Sequence, residues 1–379
     1  MALKVALVHD WLVSQRGGEA VLEGLVSFFP DAPIYSLVVD RSKISTYLSG
    51  REIRTSFLQT LPGAGPSGFR RFLPLFPSAV ANWDFSDFDL IISTSHCVAK
   101  AAGHGHGIPH ISYIHSPMRY IWDQWPHYAP RSPVKRGLLE PLRRGLQLWD
   151  KATSRRSNLR LIANSNFVAE RIRRVWSRDA QVVYPPVDSK FFETTVGRAR
   201  EHWCVLSALV PYKRIELAVV WANAFKHRLV IVGEGPERER LEGIAGPTVS
   251  FLGRVDRSEI QDVFSRAHGL IFPGVEDFGI VPLEAMAAGV PVVAFAEGGA
   301  LETVTVDEPE KTGAFFSRPD AEAIEEAAQE VLTGWEHGRF KREAMLKWVN
   351  RFSRETFKCS LRDAIQTEMR SLELGHHVI

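Results

Sequence analysis

A chain of 379 residues is long enough for two packed domains, and 45% hydrophobic with 24% charged residues is ordinary globular composition, which excludes disorder and collagen-like repeats. Lys+Arg 46 against Asp+Glu 44 leaves +2, a balance that points neither to nucleic acid nor to an acidic scaffold. The sum conceals an asymmetry: residues 1–190 carry 24 basic and 15 acidic side chains, +9, which leaves 22 against 29, −7, for the remainder. Cys97, Cys204 and Cys359 are odd in number and far apart, so they form neither a disulfide framework nor a zinc knuckle, and a cytoplasmic location is expected. The apolar run before His9 is too short for a signal peptide, and no run of eighteen apolar residues follows, so membrane contact is expected to be peripheral, on the inner face of the cytoplasmic membrane.

In chain order, short apolar runs alternate with loops rich in Gly, Ser or Asp and with longer amphipathic stretches, the signature of βαβ units in a parallel sheet. The first half predicts strands near Lys4–His9, Ile34–Val38, Leu90–Ser95, His110–His115 and Leu159–Asn164, with helices near Gly18–Phe28 and Phe167–Trp176. The proline- and glycine-rich Arg51–Asp84 segment reads as a partly mobile excursion from the sheet. Tyr184-Pro-Pro-Val-Asp188 cannot continue a helix and marks a boundary between domains 1–184 and 185–351. The second half predicts strands at Trp203–Leu206, Arg228–Val232, Val249–Leu252, Gly269–Phe272 and Pro291–Phe295. Helices there fit Arg214–Phe225, Glu237–Ile244, Ser258–Ala267 and Pro282–Ala288. A last helix, 352–372, carries Phe357, Leu361 and Ile365 at helical spacing and is expected to pack back on the first domain.

The most informative stretch runs from Glu276 through Phe278-Gly279-Ile280 to Glu284. A strand ending near Phe272 feeds a loop, and Pro282 suits a first helical turn whose free amides favour an anion. Both carboxylates can face one ligand at the carboxyl edge of the sheet and accept from sugar or ribose hydroxyls. Residue chemistry alone leaves open a solvated loop glutamate and a helix-start glutamate favoured by the dipole.

With its spacing, that stretch resembles the donor-site signature of retaining family-4 glycosyltransferases. Further pieces match in order: Gly17-Gly18, Ile114-His115-Ser-Pro-Met-Arg-Tyr120, Asn164-Ser165, Tyr184-Pro-Pro, Val210-Pro-Tyr-Lys213-Arg214, Val232-Gly233-Glu-Gly, Phe251-Leu-Gly-Arg254-Val255 and Gly298-Gly299. The resemblance implies an α/β fold of GT-B architecture, two Rossmann-like domains with an interdomain cleft. The His-Ser-Pro-Met-Arg-Tyr and Leu-Val-Pro-Tyr-Lys-Arg pieces look most like the bacterial mannosyltransferases of exopolysaccharide and O-antigen assembly. It therefore implies transfer of a hexose, mannose from GDP-mannose, to a lipid-linked or oligosaccharide acceptor. Alternatives are a UDP-sugar-dependent retaining enzyme and a non-catalytic nucleotide-sugar-binding protein. A dehydrogenase is disfavoured because no Gly-x-Gly-x-x-Gly opens the helix after the first strand.

By the same resemblance, Lys213 pairs with the donor diphosphate, Glu284 holds the ribose, and Glu276 sits by the transferred sugar with the Phe278, Gly279 and Ile280 backbone. Gly17, Gly18, Arg214, Gly233, Arg254 and Val255 complete the donor side; His115 contacts the sugar, and Arg119 and Asp123 line the acceptor side. Many relatives have Arg five residues before the lysine, where this chain has Ala208, leaving Arg214, Arg254 or helix-start amides to supply the second positive group. Retention is expected through a donor phosphate oxygen that takes the acceptor proton, with Glu276 as a covalent nucleophile the other route. No cofactor or metal is expected: His104 and His106 lie in a glycine loop near His110 and His115 without a carboxylate or cysteine. Residues 131–178 hold thirteen Lys/Arg against three acids, with Leu138, Leu139, Leu142, Leu146 and Trp149 at near-helical spacing. That pattern fits a helix lying on anionic lipid near a lipid-linked acceptor, or a solvated helix whose leucines are core.

Overall fold

This computed structural model describes residues 3–15, 17–130 and 132–374, and among them the strands form two parallel sheets. The first contains β1 (Val5–His9), β2 (Ile34–Ser36), β3 (Ile53–Thr55), β4 (Leu90–Ser95), β5 (His110–Ile114), β6 (Leu159–Ala163) and β7 (Gln181–Val182), in the order β3-β2-β1-β4-β5-β6-β7. β1 and β4 are buried along their whole length, as central parallel strands covered on both faces must be. Helix Gly17–Phe28 covers one face with Val21, Leu22, Leu25 and Val26. Strand order reverses between β1 and β4, so the loops leaving their carboxyl ends diverge and open the crevice where such sheets bind ligands.

The second sheet contains β8 (His202–Leu206), β9 (Leu229–Val232), β10 (Val249–Gly253), β11 (Ala267–Phe272), β12 (Val292–Phe295) and β13 (Gly313–Phe316), in the order β10-β9-β8-β11-β12-β13. Its switch point lies between β8 and β11.

The chain divides into two compact units, one from the start to Pro186 plus everything from Phe357, the other Val187–Thr356. These crossings differ by a few residues from the expected 184/185 and 351/352, and hydrogen bonds explain why. Tyr113 Oη donates to Val183 O at 2.8 Å, which ties residues just before the prolines to the first sheet. Val187 N donates to Phe352 O at 2.9 Å, so residues 352–356 stay with the second unit. From Phe357 on, helix Arg354–Ser371 buries Phe357, Leu361, Ala364, Ile365 and Met369 in the core that contains Val5, Leu7, Leu22 and Leu25.

The Arg51–Asp84 segment is not the loose excursion expected. β3 joins the sheet edge, and after it Phe69 and Phe76 are buried in one apolar cluster with Trp11, because alternating prolines and phenylalanines fold into short helical turns that aim rings inward.

One buried ion pair anchors helix Pro133–Ser154 to the first sheet. The Lys100 ammonium, 1% exposed, lies 3.1 Å from Asp150 Oδ1, donates to Asp150 O and Thr153 Oγ1, and stands 5.0 Å from the Trp176 ring centroid. Asp150 Oδ2 accepts from the indoles of Trp122 at 2.8 Å and Trp176 at 2.7 Å. Burial drives the lysine pKa down and the carboxylate opposes that shift, so the charge persists only as a pair. Lys100→Met, which leaves Asp150 charged and buried, is expected to lower unfolding free energy by about 3–5 kcal/mol, read from urea midpoints. The double variant Lys100→Met/Asp150→Asn is expected to recover part of that loss, and wild-type stability in the single variant would contradict the assignment.

Candidate active site

In the second unit, the site is built at the switch point of the sheet. β8 leads through Ser207–Val210 and a tight turn, Pro211–Lys213, to Arg214, whose φ of 51° places it in the left-handed region where helix Ile215–Phe225 begins. β11 leads through residues 273–278 to Gly279, at φ 93°, which starts helix Ile280–Ala287. Lys213 and Glu276, one from each loop, form an ion pair with side chains only 14% and 20% exposed.

Close backbone contact holds the two loops in place. A Cβ on Gly274 would lie 2.9 Å from Lys213 Cα. Gly299 N donates to Glu276 O at 2.8 Å, and a Cβ there would lie 2.3 Å from Phe278 Cα, which no side chain tolerates. Gly233 is constrained in the same way: its φ is 134° and a Cβ would fall 1.8 Å from Ser207 O. Gly233 therefore acts on the Lys213 loop by its shape. The Arg214 guanidinium lies over the Phe295 ring, 5.1 Å from its centroid. Arg254 is exposed after β10 and Val255 is half-buried beside it. Ala208 is exposed one residue past the Ser207 contact.

Glu284, one turn into the Gly279-capped helix, is half-buried. Burial pushes its pKa up to about 7; Arg257 opposes the shift and Asp188 adds to it. Arg257 is itself held by Asp188, Nη1 to Oδ2 at 2.9 Å. The structure thus gathers Lys213, Glu276, Phe278, Gly279, Ile280 and Glu284 around one loop and helix start, with free helix amides directed past Gly279.

The remaining predicted residues lie in the first unit. His115 follows β5, and its N–H donates to Ser95 O at 2.8 Å. Its Nε2 is buried with no hydrogen-bond partner in the protein, 3.5 Å from where a Cβ on Gly18 would stand, so the glycine at the start of helix Gly17–Phe28 keeps side-chain bulk off that nitrogen. Burial, then His96 and Arg119, lowers the His115 pKa to about 3, so the ring is neutral near pH 7 and offers one N–H or one lone pair at that atom. Arg119 is half-buried in the following loop. Asp123 accepts from Arg174 at 3.1 Å and pairs with Arg171, which also donates to Ser116 Oγ at 2.9 Å. In this arrangement Asp123 fastens the His115–Asp123 loop to helix Asn166–Trp176.

Three residues at this edge escaped sequence reasoning. His9 ends β1, bonded to Thr94 Oγ1, and burial foremost lowers its pKa to about 3. Buried Asp10 accepts four backbone N–H groups, from His96 at 2.6 Å, Cys97 at 2.9 Å, Val98 at 2.6 Å and Ala99 at 2.8 Å, and so fixes the loop after β4. His96 sits 6.1 Å from the His9 ring and 6.3 Å from the His115 ring. The available signal was a His-Asp pair closing an apolar strand just before Gly17-Gly18.

The basic segment needs a correction. Arg131 lies outside the described residues. Arg156, Arg171 and Arg178 hydrogen-bond inward, to Lys100 O, Ser116 Oγ and Leu159 O respectively, so the count of thirteen overstates the surface charge. Helix Pro133–Ser154 itself exposes Lys135, Arg136 and Arg144. Of its leucines, Leu146 is core, whereas Leu138 is 74% exposed and Leu139 and Leu142 are exposed too. Among the described residues no helix is long and apolar enough to cross a membrane.

Known proteins are similar to this chain in fold and in part of its sequence. Thermosynechococcus elongatus sucrose-phosphate synthase is similar in fold, with a TM-score of 0.72 at 19% identity over 97% of this chain and 100% of that one. A Mycobacterium tuberculosis GDP-mannose-dependent alpha-(1-6)-phosphatidylinositol dimannoside mannosyltransferase is 30% identical over 198 residues, 47% of this chain and 50% of its own length. The Saccharomyces cerevisiae alpha-1,3/1,6-mannosyltransferase ALG2 is 25% identical over 270 residues, 54% of this chain and 53% of its own. The chain thus spans about half the length of these curated relatives. The Glycosyltransferase Family 4 model matches residues 37–191 and the Glycosyl transferases group 1 model residues 190–347. Matched across both segments and folded as two parallel-sheet units, the chain belongs to the family-4 glycosyltransferases of GT-B architecture.

Proposed function

We propose that the chain is a retaining hexosyltransferase that moves mannose from GDP-mannose to a lipid-linked or oligosaccharide acceptor, of the kind used in bacterial polysaccharide assembly, at an anionic lipid surface. The observation that carries this reading is the Lys213–Glu276 pair beside the Gly279 helix start. A donor diphosphate brings more negative charge than one carboxylate, so it draws the Lys213 ammonium and takes the free amides of residues 279–281. Glu276 is then released toward the sugar hydroxyls. Charge that grows on the departing diphosphate meets groups already in place, so little reorganisation opposes bond cleavage.

The acceptor hydroxyl attacks the anomeric carbon from the face the diphosphate leaves. Its proton passes to the departing phosphate oxygen, the carbon–oxygen bond to phosphate breaks, and the new glycosidic bond keeps the donor configuration. Neutral His115, with Nε2 unpaired, is suited to donate to or accept from a sugar hydroxyl without adding charge. Lys213 and the helix amides supply the positive field at the diphosphate, so no metal or other cofactor is invoked. Mannose is favoured by the two mannosyltransferases named above, and GDP over UDP by the Mycobacterium tuberculosis one, whose name specifies GDP-mannose.

Calorimetric titration with GDP, UDP and ADP, followed by hydrolysis of the matching sugar nucleotides, tests the reading. GDP is expected to bind best, and Lys213→Ala to lower the rate of GDP-mannose hydrolysis by roughly a hundredfold. Tight binding of UDP with none of GDP overturns the donor assignment, and wild-type turnover in the lysine variant overturns the role of Lys213.

The raised Glu284 pKa gives a second test. Below about 7 the carboxyl is protonated and ribose hydroxyls lose their preferred acceptor; above it the carboxylate is restored. GDP affinity is expected to rise roughly tenfold between pH 6 and pH 8 beyond any rise seen with inorganic diphosphate, and Glu284→Gln to abolish that excess. An excess that survives in the variant assigns it to another group.

A further inference from the structure

The first unit contains a cavity of about 280 Å³ that the transferase reading does not use. Its walls come from three separated segments: Trp11 after β1, Leu73 and Phe76 from the proline-rich turns, and Leu139 and Leu142 from helix Pro133–Ser154, with Trp125 closing one side. Two cations stand at this apolar lining. The Arg70 guanidinium lies over the rings of Phe69 at 4.7 Å and Trp11 at 5.6 Å, and that of Arg143 lies over Trp125 at 5.4 Å while paired with Glu140. Arg70, Leu139 and Leu142 are exposed, and Leu138 next to them is 74% exposed.

We propose that this cavity holds the hydrocarbon chain of the acceptor, a phosphate-bearing amphiphile whose anionic group lies against Arg70. The inference rests on the lipid-linked acceptor reading above and assigns that lipid a seat. An apolar chain fits because burying methylenes against indole, phenyl and leucine surface is favourable, whereas a sugar here would leave most hydroxyls without partners. Arg70 supplies charge complementarity at the same walls, since an aromatic-stacked Arg retains its donors for a phosphate, whereas Arg143 gives its donors to Glu140 and Ile121 O. The cavity also borders the polar cluster. The Trp11 ring that lines it meets His96 edge-on, centroids 4.2 Å apart, and His96 in turn lies 6.3 Å from His115. A chain seated along Trp11 thus anchors its head group within reach of the edge where β1, β4 and β5 end.

The test is calorimetry of the full chain with butyl, octyl and dodecyl phosphate, each below its micellar concentration. Affinity is expected to rise with chain length, dodecyl phosphate binding at least roughly tenfold tighter than butyl phosphate. Leu142→Trp, which fills the cavity, and Leu139→Asp, which makes its rim polar, are each expected to weaken dodecyl phosphate roughly tenfold, with circular dichroism and thermal midpoints showing that both variants fold. Equal affinity for all three chain lengths overturns the proposal, as does undiminished dodecyl phosphate binding in both folded variants. GDP titration and donor hydrolysis read the transferase assignment separately. Chain-length-dependent binding in a protein that hydrolyses no sugar nucleotide supports the cavity assignment and overturns the transferase one.

Discussion

The candidate donor site depends on backbone packed against backbone at the carboxyl edge of the second sheet. Gly233, Gly274 and Gly299 stand where a single added carbon would strike Ser207, Lys213 or Phe278. Side chains cannot cushion such contacts, so the loops after β8, β11 and β12 have little freedom to move independently. Their rigidity sets the place of Lys213, of Glu276 and of the Gly279 helix start together. In this arrangement the ion pair follows from loop geometry, and the diphosphate of the proposed reading would meet an ammonium whose position was fixed during folding.

The first unit uses a different device for a similar end. Its loops are held by charge. Asp10 gathers four amides of the loop after β4, Asp123 ties the loop after β5 to Arg171 and Arg174, and the Lys100–Asp150 pair anchors helix Pro133–Ser154. Each of these carboxylates has its donors supplied by distant residues, so Asp10 and Asp150 are buried without being abandoned. His115 Nε2 contrasts with them: a buried ring nitrogen with no protein partner costs free energy that a bound hydroxyl would return.

How much of this the sequence revealed depended on distance along the chain. The alternation of apolar runs and amphipathic stretches was enough for two parallel sheets, because period and turn chemistry are local. The Glu276-to-Glu284 stretch was readable for the same reason: a loop, a glycine and a helix start lie within nine residues. Asp10 was not readable, since its partners begin 86 residues later, and neither was the Lys100–Asp150 pair. Proline and glycine in the Arg51–Asp84 segment suggested mobility, but tertiary packing of Phe69 and Phe76 overrode that local signal. Charge counting over residues 131–178 misled in the opposite direction, because several arginines there serve the interior.

Proton NMR of the anomeric configuration in the first product formed from an α-linked donor distinguishes same-face from opposite-face transfer. An α-linked product is expected if, as proposed, a diphosphate held by Lys213 and the Gly279 helix start leaves and receives the acceptor proton on one face. A β-linked product would show attack from the opposite face and would contradict the mechanism.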